Sequence, residues 1–250
     1  MAVIHMTFFS SVLGMTSPLT VIMPQDVQPG EKLPVLYMLH GLSDDDTTWL
    51  RQTTIEYQLA NRRMAVVMPN VHRSFYSDMA HGRKYWTYIS EELPKIVKAM
   101  FPISDRREDT FVAGLSMGGY GAFKLALAHP DRYAAAASFS GALDIRALPH
   151  LFEGNEFTEI FGDLEGTKEH KDDLFYLAER AVKSGAKLPA LYQCCGTADF
   201  LYEDNIRFLN YAKELGVELA YEEEPNHQHE WGYWNMKLPR VLDWIAEVTK

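Results

Sequence analysis

Short apolar runs bounded by turn formers recur along the chain at residues 33–39, 64–68, 110–115, 134–139 and 188–195. Several lack any polar alternation, the pattern of a strand covered on both faces. Between them the period changes to that of a helix. Residues 47–61 follow Asp46, a good N-cap, and residues 86–100 carry Ile89, Leu93, Ile96, Val97 and Met100 on one stripe. Residues 117–128 stop at His129-Pro130, and residues 203–215 stop at Gly216. A closing helix is predicted over 235–248, with Pro239 in its first turn. Two further strands, 6–10 and 19–23, precede any helix and predict an antiparallel edge.

Strands alternating with helices predict an α/β fold: a mostly parallel sheet with helices on both faces. The chain is read as one domain over 1–250. Residues 141–187 break the rhythm, because they are too long for a simple connection in a compact domain. They carry Leu148, Leu151, Phe152, Phe157, Ile160 and Phe161, then an amphipathic run over 168–182. This partly helical insertion is a candidate cap over the sheet edge.

Composition narrows the function. The 250 residues are 47% apolar and 23% charged, ordinary for a globular protein. A chain of this length buries roughly 70–75% of its unfolded surface and needs no metal or disulfide staple. Its 24 Lys plus Arg against 34 Asp plus Glu give a net charge of −10, with no basic run. Nucleic acid and anionic membranes are therefore poor partners. Cys194 and Cys195 are adjacent, and Cα atoms ~3.8 Å apart are closer than the ~4.4–6.8 Å of a disulfide. No bridge between them is predicted, which fits a reducing compartment. The start of the sequence lacks the basic and apolar regions of a signal peptide, and no ~18-residue apolar run is present. A soluble cytoplasmic protein is expected; homo-oligomeric assembly stays open.

The chemistry concentrates in a few segments. Gly114-Leu115-Ser116-Met117-Gly118 matches G-x-S-x-G between a β-type run and a helix-like run. In that setting the motif exposes a serine on a strained turn above a sheet, and side chains at the flanking glycines would collide with backbone. Ser116 is thus the candidate nucleophile. It needs a histidine base oriented by a carboxylate, in the chain order Ser, acid, His. Asp199 stands three residues after Gly196, at the C-terminal end of the last strong apolar run. Asp204 is the rival acid, although a place in the first helical turn accounts for it. Only His227 and His229 lie beyond these acids. His229, in His-Glu-Trp-Gly-Tyr-Trp just before the closing helix, is the preferred base. The oxyanion needs backbone donors, for which Met117 N–H and Leu42 N–H, in His40-Gly41-Leu42, are the candidates. His40 is read as a structural hydrogen-bonder.

Four ordered motifs carry a resemblance over nearly the whole chain. They are Tyr37-Met38-Leu39-His40-Gly41-Leu42, Gly114 to Gly121, Gly196-Thr197-Ala198-Asp199-Phe200 and His229-Glu230-Trp231. The sequence resembles the esterase D family of α/β-hydrolases, above all the bacterial tributyrin-esterase-type members. S-formylglutathione hydrolases, feruloyl and acetylxylan esterases and mycolyltransferases are more distant. The resemblance implies a cofactor-free serine carboxylesterase for short acyl chains, with Ser116, Asp199 and His229 as its triad and the Ser116 strand central in the sheet. His227 departs from the family, whose members more often have a small residue just before the catalytic histidine.

The expected partner is a small-molecule ester, with no metal. Candidate substrate contacts are Arg73, Tyr76, Trp86, Tyr120, Phe152 and Phe161. The loop 70–85 supplies the first two from the sheet's C-terminal edge, where Phe75 could also shape a pocket. A thioesterase for S-formylglutathione, a feruloyl- or acetylxylan-type esterase and an acyltransferase share these motifs. A binding module with a vestigial triad is the non-enzyme alternative.

Overall fold

The computed structural model describes residues 1–164 and 170–249. Its strands are β1 (Ala2–Ser10), β2 (Met15–Met23), β3 (Val35–Leu39), β4 (Ala65–Pro69), β5 (Thr110–Leu115), β6 (Ala135–Phe139), β7 (Ala190–Gly196) and β8 (Leu219–Glu224). They form one sheet in the order β1-β2-β4-β3-β5-β6-β7-β8. Only β2, among the described strands, runs against its neighbours; every pairing from β4 to β8 is parallel. β5, which leads into Ser116, lies between β3 and β6 in the interior of the sheet.

The unbroken apolar runs have the expected cause. In β3, Val35, Tyr37 and Leu39 enter the core on one face, while Leu36 and Met38 enter the core on the other. Helices α4 (Leu93–Met100), α5 (Met117–Ala128), α7 (Leu174–Lys183) and α8 (Tyr202–Glu214) contribute to the first core. Helices α1 (Thr48–Gln52), α2 (Ile55–Leu59) and α9 (Trp231–Val248) contribute to the second. None of the helices is long and apolar enough to cross a membrane, among the described residues.

Several boundaries differ from expectation for local reasons. The N-terminal hairpin extends from Ala2↔Met23 to Ser10↔Met15, so both strands are longer than 6–10 and 19–23. The helix expected at 47–61 is divided into α1 and α2 around Thr53, whose Oγ1 donates to the Trp49 carbonyl. Asp46 caps neither, because its buried carboxylate accepts Thr20 Oγ1 at 2.7 Å. The 86–100 stripe begins with α3 (Tyr85–Thr87) and passes through a π-helical turn, Tyr88–Glu92, before α4. Pro94 has no N–H to give the Ser90 carbonyl, which instead accepts Arg132 Nη1 at 2.9 Å. Helix α9 begins at Trp231, so Pro239 lies inside it rather than in its first turn.

Strand β8 escapes sequence reading because half of Leu-Ala-Tyr-Glu-Glu-Glu is acid. It is an edge strand and buries little. Its Glu222 and Glu224 meet Lys237 Nζ of α9 at 3.0 and 2.7 Å.

Residues 141–187 contain two 3₁₀ turns (Ile145–Ala147 and Pro149–Leu151), α6 (Glu156–Phe161) and α7. The amphipathic run expected over 168–182 becomes helical at Leu174, capped by the Asp173 carboxylate on Phe175 N–H at 3.0 Å; 168–169 lie outside the described residues. Lys124 of α5, fully buried, pairs with Asp172 and donates to the Tyr76 carbonyl and Ser77 Oγ, both at 2.9 Å. One ammonium thereby ties the insertion and the 70–85 loop to the helix that follows Ser116. Breaking one side of such a buried pair typically costs about 3–5 kcal/mol.

Candidate active site

Ser116 occupies the turn from β5 into α5 with φ 53° and ψ −119°, a backbone region that non-glycine residues enter at a cost of about 1–3 kcal/mol. Surrounding bonds hold it there. Its N–H donates to the Phe139 carbonyl at 2.9 Å, and its carbonyl accepts Ala142 N–H at 3.1 Å. A Cβ on Gly114 would stand 2.4 Å from the Gly118 carbonyl oxygen, and one on Gly118 would stand 2.4 Å from that of Leu39. The two glycines of the motif are thus demanded by backbone crowding, as read from the sequence.

The candidate acid and base meet. His229 Nδ1 lies 2.9 and 3.0 Å from the two oxygens of Asp199, and Asp199 Oδ1 also accepts Leu201 N–H at 2.8 Å. The Asp199 side chain is fully buried. With Nδ1–H given to the carboxylate, Nε2 is left as the ring's acceptor. The imidazole is flanked by Phe200 (4.5 Å between ring centroids) and, edge-on, by Trp234 (4.8 Å). His227 instead reaches Glu230 at 3.4 Å, and Asp204 pairs with Arg207. The His227 backbone does matter: its carbonyl accepts Ala198 N–H at 3.0 Å, and a Cβ on Gly196 would come within 2.2 Å of it. That contact locks the loop carrying Asp199 to the loop carrying His229.

The loop after β3 presents Leu42 N–H by a simple device. The Gly41 carbonyl, on the same peptide plane, accepts His40 Nδ1–H at 2.7 Å and Asp44 N–H at 3.2 Å. In a trans peptide the N–H points opposite to the C=O, so pinning the Gly41 oxygen aims the Leu42 N–H. Among the described residues no acceptor takes it. Met117 is the first residue of α5, so its N–H has no acceptor within the helix either.

His40 itself is fully buried, and its Nε2 accepts Val71 N–H at 3.0 Å. The bond accepted at Nε2 requires the neutral ring, and burial pushes its pKa down to about 4. The unfolded chain therefore takes up the proton first as pH falls. Stability from this residue is full above the unfolded value near ~6.5 and declines toward pH ~4, by about 3 kcal/mol in all. Burial lowers His129 and His170 as well, which adds in the same direction. Urea unfolding at pH 7 and pH 4.5 should show the loss, and His40→Gln should shrink it without abolishing it. An equal loss in the variant would exclude His40 as the source.

Ser116, His229 and Leu42 line one cavity of about 390 Å³. Its wall is mostly apolar: Phe75, Leu115, Leu151, Phe152, Phe200 and Trp231 among others. Of the six candidate substrate contacts, Phe152 reaches this wall and the other five do not. Tyr76 and Tyr120 are fully buried, with hydroxyls donating to the carbonyls of His40 (2.9 Å) and Asp172 (2.7 Å). Arg73 turns outward to Glu156 at 2.7 Å. Trp86 stacks on His129 beneath Lys124 Nζ, and Phe161 packs behind Phe75 with centroids 5.5 Å apart. Of these five, Tyr120 and Phe161 back the wall by packing on Phe75. Phe200, Trp231 and Trp234 were missed, although the first two stand within two residues of the acid or the base in sequence. Among the described residues no group of His, Cys, Asp and Glu is arranged to hold a metal.

A family model described as "Putative esterase" matches residues 10–245. The chain belongs to this esterase family. An acetyl esterase of Caldicellulosiruptor saccharolyticus is 29% identical over the full length of both chains. Among solved structures, the Staphylococcus aureus fluorophosphonate-binding serine hydrolase F is 37% identical with a TM-score of 0.90, and 98% of each chain is covered. An S-formylglutathione hydrolase from Staphylococcus aureus is also 37% identical, with a TM-score of 0.89 over 98% of each chain. The sheet and its helices are those of an α/β-hydrolase, and the resemblance read from the four motifs is correct at the level of family and fold.

Proposed function

We propose that this carboxylic ester hydrolase cleaves short-chain acyl esters through an acyl-enzyme on Ser116. The observation that carries the reading is the shared cavity: a serine on a strained turn and a histidine paired with a buried aspartate line the same walls. His229 Nε2 takes the proton as Ser116 Oγ attacks the ester carbonyl. Leu42 and Met117 N–H groups hold the oxyanion. His229 then gives that proton to the departing alcohol, and the acyl group stays on Ser116. Water, deprotonated by the same nitrogen, attacks the acyl carbonyl; the carboxylic acid leaves and Ser116 recovers its proton. Asp199 keeps the imidazole in the tautomer that this requires. A fluorophosphonate probe should label the protein at one residue, found by peptide mass mapping at Ser116. An unlabelled protein, or a label elsewhere, would refute the reading.

The apolar wall, backed by packed rings, supports a short acyl group. A methylene that fits gains ~0.8 kcal/mol, about fourfold in binding. One that does not fit must displace the packed rings of Phe75, Phe152 and Phe157, which stand 5.4 Å apart in sequence of contact, at a cost of about 1–3 kcal/mol. On p-nitrophenyl esters from acetate to laurate, kcat/KM should climb toward butyrate and fall steeply by octanoate. A rate still rising at laurate would mean that residues 141–187 open as a lid.

The same machinery suits a thioester, the substrate named for the S-formylglutathione hydrolase relative. Acyl transfer chemistry alone does not separate the two.

A further inference from the structure

Charge around the cavity does separate them. Asp44 is the one acidic side chain that lines it, among the described residues. It is half-buried, and its single hydrogen bond among those residues is from Gly41 N–H to Oδ2 at 3.1 Å. Burial raises its carboxyl above the ordinary value, the mark of a carboxylate that water solvates poorly. Among the described residues no Lys or Arg lines the cavity, and none directly flanks a lining residue in sequence, whereas Asp45, Glu153, Asp199 and Glu230 do flank it. Arg51 answers Asp45 at 3.6 Å, and its charge also reaches Asp44, where it opposes part of the effect of burial. The chain as a whole carries −10.

We propose that Asp44 makes this cavity select esters uncharged at both the acyl and alcohol ends, and reject substrates that bring a carboxylate near the reacting carbonyl. The inference rests on the reading of this cavity as the ester site, and it names the substrate class of that site. At a separation of ~6 Å and an effective dielectric of ~20–40, one like-charge pair lowers occupancy about ten- to hundredfold. A glutathione thioester carries two carboxylates against one ammonium, a net negative charge, and among the described residues no cation in the wall receives those carboxylates. The small neutral oxyester is the substrate that this wall fits.

Two matched pairs test the proposal. p-Nitrophenyl butyrate and mono-p-nitrophenyl succinate place a methyl or a carboxylate at the same acyl position. The acetates of methyl 4-hydroxybenzoate and of 4-hydroxybenzoate do the same on the alcohol side. The readout is the anionic-to-neutral ratio of kcat/KM within a pair. In the wild type this ratio should be about tenfold or more below unity in at least one pair. Asp44→Asn, which keeps an oxygen for Gly41 N–H, should raise that ratio at least fivefold, about half of the expected penalty on a logarithmic scale. Raising salt should narrow it in the wild type without any substitution, which keeps the test intact if the variant folds poorly. Ratios near unity in both pairs, or a ratio unmoved by both Asp44→Asn and salt, would overturn the proposal. Failure of the esterase reading looks different: neither member of either pair would be turned over.

Discussion

Ser116→Ala is expected to lower kcat on p-nitrophenyl butyrate by about 10⁴-fold or more, leaving the residual rate that binding and oxyanion donors supply. The proposed mechanism runs every bond change through Ser116 Oγ, so no neighbouring group can stand in for it. The fold should be untouched. The turn is held by backbone bonds of Ser116, from its N–H to Phe139 and from Ala142 to its carbonyl, and these survive the substitution. Alanine carries the same positive-φ penalty as serine, so strain neither rises nor falls. Thermal unfolding should accordingly match wild type while turnover disappears. Substantial activity in a folded Ser116→Ala protein would move the nucleophile elsewhere and remove the basis for an acyl-enzyme.

The parts legible in sequence were those in which local crowding or pattern dictates structure. The glycines around Ser116 could be read because only Gly fits at 114 and 118, whatever surrounds the turn. The buried strands could be read because apolar residues on both faces leave no polar alternation, as β3 to β6 show. Asp199 was chosen for its place at the end of an apolar run and His229 by chain order and its place before the closing helix, and the structure brings these two candidates together. What escaped depends on distant partners. β8 is acidic because α9 brings lysine and arginine to it, and no local pattern announces that. The π-helical turn needs Arg132 to take the carbonyl that Pro94 leaves free. The substrate-contact candidates were chosen by nearness in sequence to the sheet edge. Tyr76 and Tyr120 have bulky side chains that point into the scaffold, whereas the wall was completed by Phe200 and Trp231, beside the acid and the base.

The two neighbouring histidines provide the other large effect. His229→Ala should cost as much as Ser116→Ala, about 10⁴-fold or more, since members of a unit that acts together are each nearly indispensable. His227→Ala should keep at least about a tenth of the rate, the bound that separates a lost base from an altered loop. The geometry gives the reason. The His229 ring is fixed by both Asp199 oxygens and clasped by Phe200 and Trp234, so its Nε2 has one orientation at the cavity. The His227 ring lies outside that wall against Glu230, and what this residue gives the site is its backbone carbonyl, joined to Ala198 N–H and pressed against Gly196. Alanine retains that carbonyl. Single-turnover rates with p-nitrophenyl butyrate would separate loss of acylation from loss of deacylation, and both should fall together in His229→Ala because one nitrogen serves both steps. If His227→Ala proved the more damaging change, the base would have to be His227, and the contact between His229 and Asp199 would be a structural brace for the loop.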